Sequence, residues 1–234
     1  MHEPAVAFDR FSYTYEDGTR ALTEVSLAVS AGESVGLIGH NGSGKSTLLM
    51  HLVGILEPDS RVTVGGLPVT RENLPQIRHM VGYVFQNPRD QLFMSTVIED
   101  VAFGPLNLGM TPHEALHSAE DALEMVGIPG FGARVPYHLS GGEMRRAAIA
   151  TVLAMYPRII VMDEPSSGLD PRAKRDLAVL IRKLSGTKLI SSHDLDFIRA
   201  CADRIILLNR GRVAADGPAA AILDDQELLV ENGL

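Results

Sequence analysis

The residues with the clearest chemical meaning form a glycine-rich loop, GHNGSGKST, at positions 39–47. Glycines in such a loop let backbone N–H groups converge on an anion, because no Cβ stands in the way. A lysine near its end can reach a terminal phosphate, and the serine after it can bind a magnesium ion. The spacing G-x-x-x-x-G-K-S therefore predicts a loop that holds a chain of phosphate groups. The residues expected to contact the phosphates are Gly39, His40, Asn41, Gly42, Ser43, Gly44, Lys45, Ser46 and Thr47.

A second chemical feature is the acidic pair that ends the apolar segment RIIVMDE, residues 158–164. A phosphate-bound magnesium ion needs a carboxylate ligand, which Asp163 can supply. The next residue, Glu164, can orient and deprotonate an attacking water. A DE pair alone is commonly a solvated turn. After four apolar residues, in a chain that also has a phosphate loop, it indicates a site that cleaves a phosphate bond.

Alternating strands and helices must position these groups. The apolar run 34–39 predicts a buried strand before the loop, and 45–56 predicts a helix after it. Antiparallel strands are expected near the N-terminus, and a hairpin with its turn at Asn209–Arg210–Gly211 near the C-terminus. The pattern favours an α/β fold. The other predicted strands are 61–66, 79–85, 158–164 and 188–193, and the other predicted helices are 141–155, 171–186 and 194–202.

The section between positions 94 and 138 departs from this alternation. Residues 111–127 have the punctuation of a helix, with Thr111 as N-cap, Pro112 in the first turn and Glu114 completing a capping box. Gly127 is a stop signal. We therefore expect a helical lobe inserted into the α/β chain.

Composition limits the class of protein. The chain has 234 residues, 45% of them hydrophobic, which fits a globular protein that folds without disulfides. Its net charge of −8 argues against a general nucleic-acid binder. The single cysteine fits a reducing compartment. We recognise neither a secretory leader nor an apolar run long enough to span a membrane, so we expect a cytoplasmic protein.

Five segments together resemble the motifs of ATP-binding-cassette (ABC) ATPases. They are GHNGSGKST, LSGGE, IIVMDEP, SSGLD and SSHD, in that order, and the resemblance covers about residues 5–230. It implies a P-loop NTPase fold in a single domain, 1–234. That domain would have a RecA-like core, an antiparallel β-subdomain and an inserted helical subdomain at about 94–158. It also implies ATP and Mg²⁺ as cofactors.

The LSGGE segment gains a role only through this resemblance. Ninety-five positions separate Lys45 from Ser140. In the family, the signature residues, here Ser140, Gly141 and Gly142, face the γ-phosphate held by the loop of a second copy. A serine and two glycine amides at a helix N-terminus are a reasonable anion cradle. Two chains would then enclose two ATP molecules.

The resemblance assigns the remaining site residues. Tyr15 lies where the family has an aromatic residue that stacks on adenine, and Tyr13 is the competing candidate, because both side chains can share one face of a strand. Gln86 in YVFQNP would touch magnesium and the attacking water. His193 would contact the γ-phosphate. The D-loop, which crosses the dimer interface, would be Ser167, Gly168, Leu169 and Asp170.

The implied catalytic set is therefore Lys45, Gln86, Glu164 and His193, and the implied magnesium ligands are Ser46, Gln86 and Asp163. Two positions depart from the family pattern. Glu143 stands where the signature has glutamine, and we expect it to face away from the phosphates or toward Arg145 or Arg146. Ser166 replaces a threonine, which is a mild change.

The segments FQNPRDQLF and TVIEDVAFGPLNLG resemble the energy-coupling-factor branch of the family, most closely the ATPases of cobalt and nickel importers. The implied partners are a second ATPase subunit, with a homodimer favoured by the complete catalytic set, and integral membrane subunits that couple and bind substrate. The chain would lie on the cytoplasmic face of the inner membrane, without nucleic acid. A vitamin importer, a non-transport cassette ATPase and a non-hydrolysing regulatory module are the alternatives. The eight histidines do not have metal-ligand spacing.

Overall fold

The computed structural model describes residues 3–234, and strands and helices alternate along most of that range. In chain order, the strands are β1 (Val6–Thr14), β2 (Arg20–Val29), β3 (Ser34–Ile38), β4 (Val62–Val64), β5 (Leu67–Pro68), β6 (Val81–Val84), β7 (Ile159–Asp163), β8 (Thr187–Ser191), β9 (Arg204–Asn209) and β10 (Arg212–Pro218).

The helices, in the same order, are α1 (Lys45–His51), α2 (Leu74–Met80), α3 (Val97–Asn107), α4 (Pro112–Met125), α5 (Gly141–Leu153), α6 (Pro171–Lys183), α7 (Leu195–Cys201), α8 (Ala219–Asp224) and α9 (Gln226–Glu231). Single 3-10 turns lie at Pro88–Asp90 and Pro136–His138.

Two sheets organise the molecule. The larger has the order β10-β9-β3-β8-β7-β6, parallel except for the edge strand β10. The smaller has the order β2-β1-β4-β5 and is antiparallel. The predicted α/β class is confirmed, and so is the hairpin at the C-terminal side, where Arg210 (φ 47°) and Gly211 (φ 74°) form a turn with two positive φ angles.

The larger sheet is buried on both faces, because alternate side chains of each strand belong to different hydrophobic clusters. On β7, Ile160 and Met162 pack in the cluster formed with α3–α8. Ile159 and Val161 pack in the cluster formed with α1 and the antiparallel sheet. The sheet is therefore held firmly, and its carboxyl edge can position side chains with little freedom.

The segment between β6 and β7 is mainly helical, as predicted. The α4 helix has the expected capping box between Thr111 and Glu114, and Gly127 takes φ +76° just after it. Helix α3 begins with a similar box between Thr96 and Glu99.

Two predicted boundaries are wrong. The helix after the phosphate loop ends at His51 instead of continuing to position 56, because Gly54 turns the chain with φ +62°. His79 and Met80 belong to α2, and the strand starts only at Val81, where pairing with Ile159 begins. Among residues 3–234, no helix combines the length and apolar character that crossing a bilayer requires.

Candidate active site

The predicted catalytic residues converge at the carboxyl ends of three parallel strands. The phosphate loop follows β3, Asp163 ends β7 and Ser191 ends β8. Strand β8 lies between the other two, and Ser191 is in register with both Leu37 and Asp163. The carboxyl edge of a parallel sheet is where α/β proteins bind ligands. The structure therefore brings the loop and the acidic pair into one place.

The glycine loop is shaped so that side chains could not replace its glycines. A Cβ on Gly39 would stand 2.2 Å from the Leu208 carbonyl oxygen and 2.6 Å from Ser43 Oγ. Gly44 has φ +106°, and a Cβ there would meet the Ala21 carbonyl at 2.8 Å. Ser43 is fully buried, and its hydroxyl has no partner among the described residues. Glycines with close backbone neighbours and an unsatisfied polar atom fit a loop that receives a polar ligand.

Lys45 extends along this loop and is nearly buried, at 6% exposure. Its ammonium group donates to the Gly39 carbonyl at 2.8 Å and to the His40 carbonyl at 3.3 Å. It also lies 3.7 Å from Glu164 Oε1. An ammonium group has three donors, so these contacts leave it able to bond a phosphate oxygen.

A cavity of about 420 Å³ opens in front of the loop. Tyr15, Ser46, Gln86 and Glu164 line it together with Lys45. Asn41, Gly42, Gly44 and Thr47 complete the loop's share of the wall, whereas Gly39, His40 and Ser43 do not line it. Most residues predicted to bind or cleave a nucleotide therefore face one space.

Asp163 lies beneath this cavity, almost fully buried. Its Oδ1 accepts a hydrogen bond of 2.6 Å from the Ser191 hydroxyl, and its Oδ2 accepts one of 3.4 Å from Tyr83 Oη. Burial and the Asp163 carboxylate raise the pKa of Tyr83, which keeps the phenol protonated as the donor. The Asp163 carboxylate is therefore fixed in orientation before any ligand arrives.

Glu164 is held even more tightly. Its backbone takes φ +45°, a conformation that strains a residue with a Cβ and often marks functional sites. Its N–H donates to the Ser191 hydroxyl at 2.9 Å and carbonyl at 3.1 Å. Oε2 accepts from His193, at 2.8 Å from Nδ1 and 3.3 Å from the backbone N–H. The buried carboxylate is thus aimed into the cavity, with the exposed His193 ring beside it.

The two candidate adenine platforms have different surroundings. Tyr15 lines the cavity, and its hydroxyl shares a 2.9 Å hydrogen bond with Thr47 Oγ1. Tyr13 lies edge-to-face behind it at 5.0 Å and packs against His51 at 4.5 Å. Burial lowers the pKa of His51 to about 4, so this neighbour is a neutral packing partner. The geometry favours Tyr15 as the residue that meets a base.

The signature segment forms a separate surface. Ser140 caps α5, and it and Gly141 are exposed to solvent. Among the described residues that line the phosphate-loop cavity, none comes from 139–143. The loop and the signature of one chain are therefore not parts of one cavity.

Of the two orientations expected for Glu143, the one toward Arg145 or Arg146 is wrong. Glu143 Oε2 instead accepts from Ser140 Oγ at 2.7 Å and from Ser140 N at 2.8 Å. The Ser140 bonds lower the pKa of Glu143, and Arg134 lies 3.9 Å from Oε1. The acidic residue is the second half of a capping box, in which glutamate and glutamine are both suitable.

Sequence reasoning missed three residues that position the site. Ser191 links both acids through one hydroxyl, Tyr83 contacts Asp163, and Arg145 binds the carbonyl oxygens of Phe85 and Gln86. Ser191 lies in the SSHD motif, and parallel pairing of β7 with β8 could have indicated it. A tyrosine in a buried strand and an arginine in a largely buried helix carry no comparable signal.

The geometry defines a P-loop cassette that binds nucleotide phosphates and cleaves them. A family model described as "ABC transporter" matches residues 22–167. The chain belongs to the ABC transporter family, and it is an ATPase.

Individual relatives agree with this conclusion. The energy-coupling factor transporter ATP-binding protein EcfA of Methanothermobacter thermautotrophicus is 48% identical over 224 residues, which are 93% of this chain and 72% of that protein. The structure of cbiO1 from Clostridium perfringens, part of the ABC transporter complex cbiONQ, superposes with a TM-score of 0.86 at 32% identity, covering 98% of this chain and 94% of that one.

A second similar structure is the dimeric ATP-binding cassette MJ0796 in a post-hydrolysis state with ADP and Pi. Its TM-score is 0.83 at 30% identity, with 92% of this chain and 98% of that chain covered. Cassettes of this family bind ATP and ADP, and they work as pairs together with membrane subunits.

Proposed function

We propose that the chain is the ATP-hydrolysing subunit of an energy-coupling-factor type importer, and that its cargo is cobalt or nickel ions. The similarity to EcfA supports the type of transporter, and the likeness to cbiO1 supports the metal cargo. The observation that carries the motor role is the buried Glu164 carboxylate, fixed by His193 and facing the cavity that Lys45 lines. The chain would act at the cytoplasmic face of the inner membrane.

Hydrolysis on this geometry needs positioning more than covalent chemistry. Glu164 accepts the proton of the attacking water, and its orientation is already set by His193 and by Ser191. Lys45 stabilises the charge that develops on the terminal phosphate. His193, more than half exposed beside Glu164, is free to contact the same phosphate.

Three residues would hold magnesium. The Asp163 carboxylate, the Ser46 hydroxyl and the Gln86 amide oxygen are hard oxygen donors, which suit Mg²⁺. Asp163 fits this role because Ser191 and Tyr83 orient its carboxylate. When bound, magnesium would neutralise phosphate charge.

A second copy would complete each site. Ser140, Gly141 and Gly142 would meet the nucleotide held by the partner's loop. The first N–H groups of a helix have no partner within the helix, so α5 can offer them to an anion. Asp170 caps α6 through the N–H groups of Arg172 and Ala173, which would fix the D-loop at the same interface.

An apolar patch follows the Gln86 segment and would contact the membrane partner. Phe93 and Phe103 are 57% and 42% exposed and pack edge-to-face at 5.1 Å. Leu106, also exposed, lies one turn further along α3 on the same face. Asp100 Oδ1 accepts the N–H groups of Phe93 and Met94, both at 2.9 Å, and fixes this patch. Its occupant would be a helical segment of the membrane coupling subunit.

Uptake in cells that lack their own metal importers tests the whole proposal. The chain would be expressed with the membrane proteins encoded beside it, and labelled cobalt, nickel and a panel of vitamins would be compared. Metal uptake that is lost with Glu164→Gln is the expected result. Vitamin uptake would replace the metal assignment with the second candidate, which the EcfA similarity also favours.

A copurification test separates ATP binding by this chain from its attachment to the membrane subunits. The double variant Phe93→Ser/Phe103→Ser should lose copurification with the membrane subunits while keeping ATP binding. Ile55→Ser, at a site 47% exposed on another surface, is the matched control and should keep both. Retained copurification of the double variant would overturn the docking patch.

A further inference from the structure

Arg145 is a buried cation that forms no ion pair with any carboxylate in the range 3–234. It is 2% exposed, its Nε has no hydrogen-bond partner there, and burial lowers its pKa to about 10. A charge in such surroundings is costly unless its hydrogen bonds compensate. The next residue, Arg146, is only half-buried and lies 3.9 Å from Asp176. The burial of the Arg145 charge must therefore be compensated by hydrogen bonds.

The Arg145 guanidinium forms two hydrogen bonds with the backbone of the Gln86 segment. Nη1 donates to the Phe85 carbonyl at 2.8 Å, and Nη2 donates to the Gln86 carbonyl at 2.6 Å. A planar guanidinium suits two parallel acceptors, and bonds from a charged donor are stronger than neutral ones. Two consecutive carbonyls of the Gln86 segment are thus fixed to helix α5.

Gln91 attaches the same segment to the same helix from the other side. Its Oε1 accepts the Phe85 N–H at 3.1 Å. Its Nε2 donates to the Ala148 carbonyl at 2.8 Å and to Thr151 Oγ1 at 2.6 Å. We call Arg145 and Gln91 the α5 clamp. The clamp leaves the Gln86 side chain exposed at the cavity and holds its backbone against α5.

Helix α5 carries the signature at its N-terminus. Arg145 lies five residues after Ser140, which is about 7.5 Å along a helix. These hydrogen bonds therefore join Gln86, which faces this chain's own cavity, to the helix that begins after Ser140, which would face the nucleotide of a second chain.

We propose that Arg145 is a positioning residue that couples the two nucleotide sites of the dimer through the α5 clamp. This inference rests on the proposed dimeric motor. Arg145 touches neither nucleotide; it acts by fixing the Gln86 backbone to the helix that carries Ser140. Coupling of this kind requires two sites and one element that both of them move.

The test uses ATP titrations of Arg145→Met, Arg145→Lys and Gln91→Met in the non-hydrolysing Glu164→Gln background. Two quantities are measured for each protein: ATP affinity at chain concentrations too low for dimers, and the ATP concentration that gives half-maximal dimer by sedimentation. Arg146→Met is the matched control, since Arg146 donates to the Val126 carbonyl and does not reach the Gln86 segment.

Single-chain ATP affinity should stay within about twofold in all variants. Arg145→Met should raise the ATP concentration for half-maximal dimer by about ten- to hundredfold, the range expected for lost charge-assisted bonds. Arg145→Lys should recover part of this loss, because lysine keeps the charge but not the two-pronged geometry. Gln91→Met should show a smaller loss, and Arg146→Met none.

Other results would overturn the coupling. Unchanged dimerisation in both Arg145→Met and Gln91→Met would overturn it. A loss of single-chain ATP affinity together with a lower melting temperature would overturn it as well, because that result indicates a purely structural role. If the Glu164→Gln parent binds ATP but forms no dimer, the dimeric motor fails and the coupling fails with it. The parent protein therefore separates the two failures.

Discussion

At the carboxyl edge of the large sheet, Lys45, Asp163 and Glu164 are buried, and hydrogen bonds within the chain fix each of them. At the start of α5, Ser140 and Gly141 are exposed, and Ser140 bonds only to its own helix cap. The first region is a site already assembled by one chain. The second is a surface prepared to meet something else. The proposed function accounts for this difference, because the assembled region would be completed by the exposed signature of a second chain.

Removing the base at the assembled site should have the largest effect of the variants considered. Glu164→Gln should lower ATP turnover by about 10²–10⁴-fold, the usual contribution of general base catalysis. ATP affinity should remain, because the glutamine oxygen can still accept from His193. Phosphate release and equilibrium binding measure the two effects. Glu120→Gln, at an exposed position of α4, is the control, and normal turnover in Glu164→Gln would refute the assignment.

Replacing the lysine of the same site should weaken the binding of ATP and not only slow the proton transfer to Glu164. Lys45→Met should weaken ATP affinity by about ten- to hundredfold, since it removes charge-assisted bonds to phosphate. A binding titration measures this, with the exposed Lys183→Met as the control. Equal affinities for the two variants would mean that the loop does not bind phosphate through Lys45.

Stacking on adenine should contribute less. Tyr15→Ala should raise the ATP concentration for half-saturation by about tenfold, within the range of base–aromatic stacking. Turnover at saturation should stay near normal. Tyr13→Ala should instead lower the melting temperature, because Tyr13 packs on His51. If Tyr13→Ala changes half-saturation and Tyr15→Ala does not, the platform is Tyr13.

The smallest effect concerns the signature surface. Glu143→Gln can preserve the capping box, yet it removes a negative charge next to the expected triphosphate. Dimer formation should then need about two- to threefold less ATP, a change typical of one exposed charge at a helix end. The effect should persist from about pH 6 to 8, because the Ser140 bonds lower the pKa of Glu143 and keep it ionised there. A Glu143→Gln dimer that needs more ATP than wild type would contradict this view of the charge.

Much of the assembled site could be predicted from sequence, because its residues lie in short motifs next to buried strands. The phosphate loop follows an apolar run, and Asp163 and Glu164 end another. Parallel strands then place both motifs at one edge of the sheet. The capping residues Thr111 and Gly127 were also readable, since helix ends have local rules.

The positioning residues could not be predicted in the same way. Arg145 reaches Phe85 and Gln86 across 60 and 59 positions of chain, and no local pattern reports such contacts. Glu143 bonds to Ser140 rather than to Arg145, because residues two apart on a helix do not face each other and the Arg145 guanidinium binds the Phe85 and Gln86 carbonyls. The first helix stopped at His51 although the apolar run continued, because Gly54 turns the chain with φ +62° and Ile55 beyond it is exposed.

We propose that each working site takes its phosphate loop from one chain and its signature from another. Mixing two inactive variants tests this proposal. Lys45→Met disables the loop. Gly142→Asp puts a carboxylate at the signature, and it fits the fold, since a Cβ there meets only Ala173 at 3.7 Å. Glu120→Gln, at an exposed position of α4, is the control and should keep full activity.

Each disabling variant alone should be inactive. An equal mixture should recover ATP turnover up to about one quarter of the wild-type value, because half of randomly paired symmetric dimers are mixed and each mixed dimer has one intact composite site. Recovery at that level supports a site shared between chains. No recovery in the mixture, with both proteins folded and the Glu120→Gln control active, would show that the site is not shared between chains.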